Sequence, residues 1–408
     1  MEAMDIQAVE SKLSDVTVTA IPMSGKTIHK DLGHSASSHA TISTVPASSP
    51  SSKDKDNGMS NVPQSIWECK WRWHTGYSAD SVEWCPVAPH HDVLVCGTYQ
   101  LDKQDEGQEE ATQRRLGRIY LFNFDQDAVE IVPLQTIDTS GILDQKWCYH
   151  TIQGSPILAA VTSDGCIQLY RLVENESLSL ELWIESSVGE NLLALSIDWS
   201  TNKVLSDEPY LIVSDSSGSV TLWKIVGDSL QKINTWKAHG FEAWIAAFNY
   251  WDTNVFYSGG DDCVFKSFDV RSSDCVTVNR SHEAGVTSIR SHIEIEHQLL
   301  TGSYDEKVRL WDARNLKRCI TETNVNGGVW RLKWHPFNSS VILAACMYGG
   351  FRVISGKEEM SVLCEYLQHD SIAYGADWRL YEGDVAVVAT CSFYDCMMHI
   401  SEVRTSML

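Results

Sequence analysis

The segment HGFEAWIAAFNYW, residues 239–251, brings three chemically useful side chains close together: His239, Glu242 and Trp244. A Glu beside a Trp can act as a general base, or help seat a cation against the indole face. His239 can share proton transfer, and Asp262 in the following YSGGDD stretch can orient it. Trp330, in the segment GGVWRLKWHPF, is a second indole suited to a cation. Other Asp residues, Asp164, Asp215, Asp305 and Asp395, each follow a short apolar run in a turn, where a structural role is the simpler one. The chain has no G-x-S-x-G, H-E-x-x-H, P-loop or G-x-G-x-x-G motif. His74, Cys85, His90 and His91 are near one another, but no cysteine pair has C-x-x-C spacing. Neither a metal nor a cofactor is expected.

These residues must be positioned by short strands. From about residue 66 onward, apolar runs of four to seven residues alternate with Gly/Asp/Ser turns. No long window shows a helical period, which favours an all-β architecture. A polar insertion, residues 101–115, interrupts the pattern and reads as a surface loop. An aromatic closes a first strand at Trp84, Trp147, Trp199, Tyr250, Trp334 and Trp378, with Ser291 in a weaker copy. A second strand, an Asp-bearing turn and a third strand follow most of them. Seven such units, of about 40–50 residues, resemble WD repeats, the blades of a β-propeller. The fullest copy, residues 282–314, contains His282, Ser303, Asp305 and Trp311. In WD repeats these four residue types form a hydrogen-bonded tetrad, because a buried Asp needs donors.

A propeller has to close, and the seventh unit supplies only three strands. The segment 65–74, SIWECKWRWH, has strand alternation and is expected to complete it. The expected division is a Ser/Thr-rich disordered tail, residues 1–62, and a seven-bladed propeller, residues 63–408, with 63–78 as the closing outer strand. The tail has too little apolar surface to offset the entropy of ordering.

Thirty-two Lys and Arg stand against 54 Asp and Glu, a net charge of −22. No basic cluster offers phosphates a face, so nucleic acid is not an expected partner. No apolar run approaches the ~20 residues that span a bilayer, so no membrane association is expected. The first thirty residues lack the apolar run of a secretory signal, and the twelve cysteines are scattered singly. Reduced, buried cysteines in a cytoplasmic protein are expected.

Several strings go beyond a generic WD pattern. They include DSVEWCP (80–86), CGTYQL (96–101), DTSGILDQKWC (138–148), LALSIDWST (193–201), HGFEAWIAAFNYW, GGVWRLKWHPF, YGADW (374–378) and ATCSFYD (389–395). In this order they resemble the diphthine methylesterase family of diphthamide biosynthesis, also called diphthine methyltransferase. The resemblance covers about residues 80–403 and leaves the tail outside. It implies a carboxylic ester hydrolase that removes the methyl ester of methylated diphthine from translation elongation factor 2. The products are diphthine and methanol. The family offers no catalytic motif to carry over, so the assignments rest on the residues: Glu242, His239 and Asp262 for catalysis, Trp244 and Trp330 for substrate binding. The modification carries a trimethylammonium group beside its ester, which suits an acidic, Trp-rich face.

A different class of function competes with this one. Trp311-Asp312-Ala313-Arg314 fits the W-D-x-R pattern of propellers that resemble cullin ubiquitin-ligase substrate receptors, and Phe268-Asp269-Val270-Arg271 is a near copy. A ubiquitin-ligase adaptor of this kind would need no catalytic chemistry.

Overall fold

The computed structural model describes residues 66–102, 114–128, 130–357 and 359–404. The tail expected at residues 1–62 lies outside the described residues, as does most of the polar insertion. The chain divides into two units, Met1–Gln64 and Ser65–Leu408, and the described residues all lie in the second.

The second unit is a seven-bladed β-propeller of four-stranded antiparallel sheets. Numbered along the chain, the inner strands of blades 1–7 are Ser78–Trp84, Ile142–Trp147, Ala194–Trp199, Ile245–Phe248, Val286–Ser291, Arg331–Trp334 and Ala373–Trp378. These inner strands are buried except at Leu143 and Arg290, which are half-buried, whereas outer strands such as Thr321–Asn324 alternate half-buried and exposed residues. That contrast is why the inner strands read as continuous apolar or mixed runs and the outer ones as amphipathic.

Blade 7 takes its fourth strand from the start of the propeller. Trp67–His74 pairs antiparallel with Met397–Arg404, Trp67 opposite Val403 and His74 opposite Met397. The ring is thus closed by hydrogen bonds between strands far apart in sequence.

The core lies between blades rather than within one layer. One cluster packs Ile157, Ala159 and Leu169 of blade 2 against Trp199, Leu211 and Trp223 of blade 3. Burying such a side chain contributes about 1.5–3 kcal/mol. The indoles of the strand-end aromatics also bond across blades. Trp147 donates to the Glu83 carbonyl at 3.2 Å, and Trp199 to that of Lys146 at 2.9 Å. In blade 4 the strand-end position belongs to Phe248, paired with Phe256, and not to Tyr250. Tyr250 lies beyond the strand, with its hydroxyl 3.5 Å from Asp198.

An inner strand leaves one edge of backbone groups without a ladder partner, and a buried amide without an acceptor is costly. Here the preceding blade supplies acceptors. Asp377 takes the Trp84 amide (2.8 Å), Asp144 that of Ile197 (3.0 Å) and Asp198 that of Phe248 (2.9 Å). The channel carboxylates therefore help hold the ring together. All twelve cysteines are free thiols, and burial pushes those of Cys85 and Cys346 up to about 12.

Candidate functional site

Three histidines sit beside blade turns, and all are structural. His282 Nδ1 lies 2.9 Å from Asp305, and its Nε2 lies 2.8 Å from the Thr301 hydroxyl. Trp311 donates to that same hydroxyl at 2.9 Å. Burial lowers the affinity of His282 for a second proton. A neutral ring then donates from Nδ1 to Asp305 and accepts from Thr301. Asp305 also accepts from Arg309, at 2.9 Å, and from the backbone amides of Glu283 and Lys307. These bonds hold its carboxyl far below the usual range against the cost of burial.

Ser303 is therefore not the tetrad hydroxyl; Thr301 is. The two share one face of strand Gln298–Ser303, because side chains two apart point the same way. Thr301 is level with the imidazole, while Ser303 at the strand end donates to the Ala284 carbonyl at 3.0 Å and shapes the turn.

The same geometry removes His239 from the catalytic candidates. Its ring is buried, with Nδ1 2.8 Å from Asp262 and Nε2 2.8 Å from the Ser258 hydroxyl. Both nitrogens are occupied, and burial disfavours its charged form. His239 and Asp262 are the tetrad pair of blade 4. His369 in blade 7 is held by Thr390 (2.9 Å) and Ser392 (2.5 Å), with Ser392 interposed before Asp395. Asp164 and Asp215 are likewise hydrogen-bonded within their own turns.

Glu242, Trp244 and Trp330 fall elsewhere, at the end of the channel where the inner strands begin. Trp244 and Trp330 meet at 6.0 Å between ring centroids. Tyr304, from the turn of blade 5, joins both: 6.4 Å from Trp244 and 6.2 Å from Trp330, nearly parallel to the latter. The Trp244 indole donates to Asp261 at 3.2 Å, and the Trp330 N–H has no partner among the described residues. Burial pushes the Tyr304 phenol up, and the charges of Asp261 and Glu242 push it further. The Glu242 carboxylate is half-buried and makes no hydrogen bond among the described residues. Three aromatic rings and two carboxylates thus share one spot, without a cation among the contacts they make. The arc continues from Trp330 to Tyr374 (4.7 Å), Phe393 (4.8 Å) and Tyr99 (6.0 Å).

Below this mouth the channel is filled with paired charges that sequence reading missed. Asp144 bridges Lys146 at 2.6 Å and Arg331 at 3.0 Å. Lys333 bridges Glu83 at 2.5 Å and Asp377 at 3.3 Å. Arg290 takes the Tyr149 hydroxyl at 2.7 Å and lies 3.8 Å from Asp198. Burial raises Asp377 to about 6, against the pull of Lys333. Blade 4 puts Ala247 at this level, and a small cleft opens there, lined by Lys146, Asp198, Arg290, Arg331 and Lys333.

One channel carboxyl differs from these. Asp80 in blade 1 is 3% exposed, and its Oδ1 has no hydrogen-bond partner among the described residues. Burial drives its proton affinity well above that of an ordinary carboxyl, with Arg331 opposing and Asp144 adding to the shift. Its signal in the sequence is positional. Four residues before the strand-end side chain the other blades carry Leu143, Leu195, Trp244, Thr287, Trp330 and Tyr374; only blade 1 has a carboxyl.

The two Asp-x-Arg segments form local pairs. Arg314 binds Asp312 through two bonds of 2.9 and 2.7 Å, and Arg271 binds Asp269 in the same way at 2.8 and 2.5 Å. Both guanidinium groups are exposed, and the pairing holds each Asp at about 2. No group of His, Cys, Asp and Glu among the described residues could hold a metal ion.

Comparison with known proteins separates the two ends of the chain. Residues 1–43 match the family model of cyclin-dependent kinase 2-associated protein. The propeller is 44% identical over 329 residues to human diphthine methyltransferase, covering 74% of this chain and 73% of that protein. It is 36% identical to the diphthine methyltransferase homolog of Dictyostelium discoideum, covering 79% and 96%. A chain in the crystal structure of a mitotic checkpoint complex superposes with a TM-score of 0.62 at 15% identity, covering 86% of this chain and 98% of its own, which speaks to fold alone. The seven blades, and this level of identity across most of them, make the chain a member of the diphthine methyltransferase family of WD-repeat proteins.

Proposed function

We propose that this protein acts in diphthamide biosynthesis, by hydrolysing the methyl ester of methylated diphthine on elongation factor 2 to give diphthine and methanol. Family membership supports the pathway. The ester chemistry rests on one observation above others: Trp244, Tyr304 and Trp330 meet at the channel mouth beside Asp261 and Glu242. A trimethylammonium group cannot donate a conventional hydrogen bond. It is recognised by aromatic faces and by negative charge, and both are here. The ester beside that ammonium would then lie over the channel. Glu242 can contribute in two ways, by countering the ammonium charge or by activating water. Glu242→Gln separates them: loss of the first raises KM, loss of the second lowers kcat.

The test uses purified protein and ester-bearing elongation factor 2, followed by intact mass. Hydrolysis removes one CH₂ equivalent, a loss of about 14 Da. The family's name makes the opposite forecast, a gain of the same size that needs a methyl donor. An unchanged mass, with a stable complex to a ubiquitin-ligase adaptor instead, would favour the scaffold role. That second role retains one observation of its own, the matched exposed Asp–Arg pairs on neighbouring blades 4 and 5. The expected cytoplasmic location is part of the same proposal, since the substrate is a translation factor.

A further inference from the structure

We propose that Asp80 is the carboxyl that takes the proton from the attacking water, leaving Asp261 and Glu242 to seat the ammonium. The proposal rests on the ester-hydrolysis function above.

Three features of the geometry carry it. The first is the absence of a partner. Asp80 is buried, its Oδ1 is unbonded, and the nearby Arg331 is already committed to Asp144 at 3.0 Å. Every other channel carboxylate has at least one cation or amide: Glu83 and Asp377 share Lys333, and Asp198 holds the Phe248 amide. Several buried side-chain atoms share this state among the described residues, and Asp80 Oδ1 is the one that belongs to a carboxyl.

The second feature is the backbone. The ladder between Ser78–Trp84 and Val93–Leu101 shifts register between Ala79 and Ser81, so Asp80 is the bulged residue, as are Leu143, Leu195 and Thr287 at the same position of blades 2, 3 and 5. The bulge turns these side chains out of the ladder, and among these bulged residues only that of blade 1 is a carboxyl.

The third is position. Ser78 stands opposite Tyr99, the blade 1 end of the aromatic arc. On the other side, Gly375 packs so tightly on Ser81 that a Cβ there would lie 2.8 Å from the Ser81 Cα. Asp80 thus adjoins the segment that follows Tyr374, the ring in contact with Trp330. Asp80 also holds the position, four residues before the strand end, that Trp244, Trp330 and Tyr374 hold in blades 4, 6 and 7, which puts it at the same level of the channel as the aromatic mouth.

The chemistry balances without a cofactor. A water held by the Asp80 carboxylate attacks the ester carbonyl carbon, and its proton passes to Asp80. The tetrahedral oxyanion collapses, the carbon–methoxy bond breaks, and the departing oxygen takes the proton from Asp80 to leave as methanol. The product acid ionises, releasing one proton. A raised affinity for protons makes the ionised Asp80 a stronger base than an ordinary carboxylate, while nearby Arg331 opposes the rise.

Asp80→Asn tests this, since the amide is nearly isosteric and neutral. The expected result is a fall in kcat of about 10²–10⁴-fold with KM within about twofold, and a variant that still binds ester-bearing elongation factor 2 without converting it. Its melting temperature should equal or exceed the wild type, which rules out misfolding as the cause. The wild-type rate should rise with pH through a group above the ordinary carboxylate range, and the residual rate of the variant should lose that rise. Wild-type hydrolysis with an equally active Asp80→Asn enzyme overturns the role of Asp80 and leaves the ester function standing. An inactive wild type overturns both. A variant that loses binding along with turnover assigns Asp80 to substrate placement and also overturns the proposal.

Discussion

Asp305 and Asp80 are both acidic residues held within one propeller, yet they have opposite surroundings. Asp305 accepts from His282, Arg309 and two backbone amides, and its carboxyl is held low. Asp80 is bonded to nothing at Oδ1, and its carboxyl is held high. The blade turns spend their polar atoms on one another, while the channel mouth leaves an indole N–H, a carboxylate and a buried carboxyl unspent. Residue type does not separate structure from function here, since both regions use Asp, Trp and hydroxyl groups. Between these two carboxyls, the difference lies in the hydrogen bonds each accepts.

The comparison breaks most sharply by mutation of the two acids. Asp80→Asn is expected to lose most turnover and no stability, as described above. Asp305→Ala is expected to do the reverse. It takes the acceptor from a buried His282 and one of two carboxylates from Arg309, Glu322 remaining at 2.7 Å, and costs about 1–3 kcal/mol, read as a lower urea midpoint, while the surviving folded fraction keeps its specific activity. Equal activity losses from both variants would erase the distinction.

Acid should act on the turns before the mouth. Burial lowers the folded proton affinity of His282 and His369, and takes His335 and His399 down to about 4. The unfolded chain binds protons near pH ~6.5, so stability is full above that value and falls as pH drops below it. Each such histidine adds to stability at neutral pH by this route and withdraws that share as acid protonates the unfolded chain. Asp80 has the other sign. Its raised affinity means that the folded state binds the proton more tightly, so its ionisation subtracts stability as pH rises above the ordinary carboxylate range. Thermal melts between pH 7.5 and pH ~4.5 should therefore fall overall, with Asp80→Asn gaining on the wild type at the upper end. A flat profile would contradict the neutral buried histidines.

Smaller effects sharpen the mouth itself. Trp330→Ala is expected to raise KM about 10-fold, the scale of about 1–2 kcal/mol for a partly desolvated cation on an indole. Glu242→Gln should raise it by about 2–5-fold, since that carboxylate is half-exposed and screened. A kcat loss without a KM change in Glu242→Gln would return the base to Glu242.

Much of the fold was legible in the sequence because strand-end aromatics and turn Asp residues repeat at blade spacing. The misplaced Tyr250 shows the limit: Phe248, two residues earlier, satisfies the same pattern, and only strand pairing chooses between them. His239 looked like a rim residue because Glu242 and Trp244 stand beside it. Its separation from Asp262 is 23 residues, as for His282 and Asp305, and that shared spacing marks a tetrad histidine. Thr301 was hidden behind Ser303 because both hydroxyls lie on one face of a strand. Trp244 and Trp330 carry a signal in the sequence as indoles near the start of inner strands, but Tyr304 and Asp261 join them only through the contact of neighbouring blades. Asp80 was invisible for a deeper reason, since a missing partner is a property of space and no motif records it.

The most direct test of the mouth as a receptor is calorimetric titration with the methyl ester of a trimethylammonium amino acid, which carries both features of the modification. Saturable binding by the wild type, weakened in Trp330→Ala and unchanged in a folded tetrad variant such as Thr301→Val, is the expected result. No saturable heat with wild-type protein, or equal binding by Trp330→Ala, would contradict the assignment of the mouth.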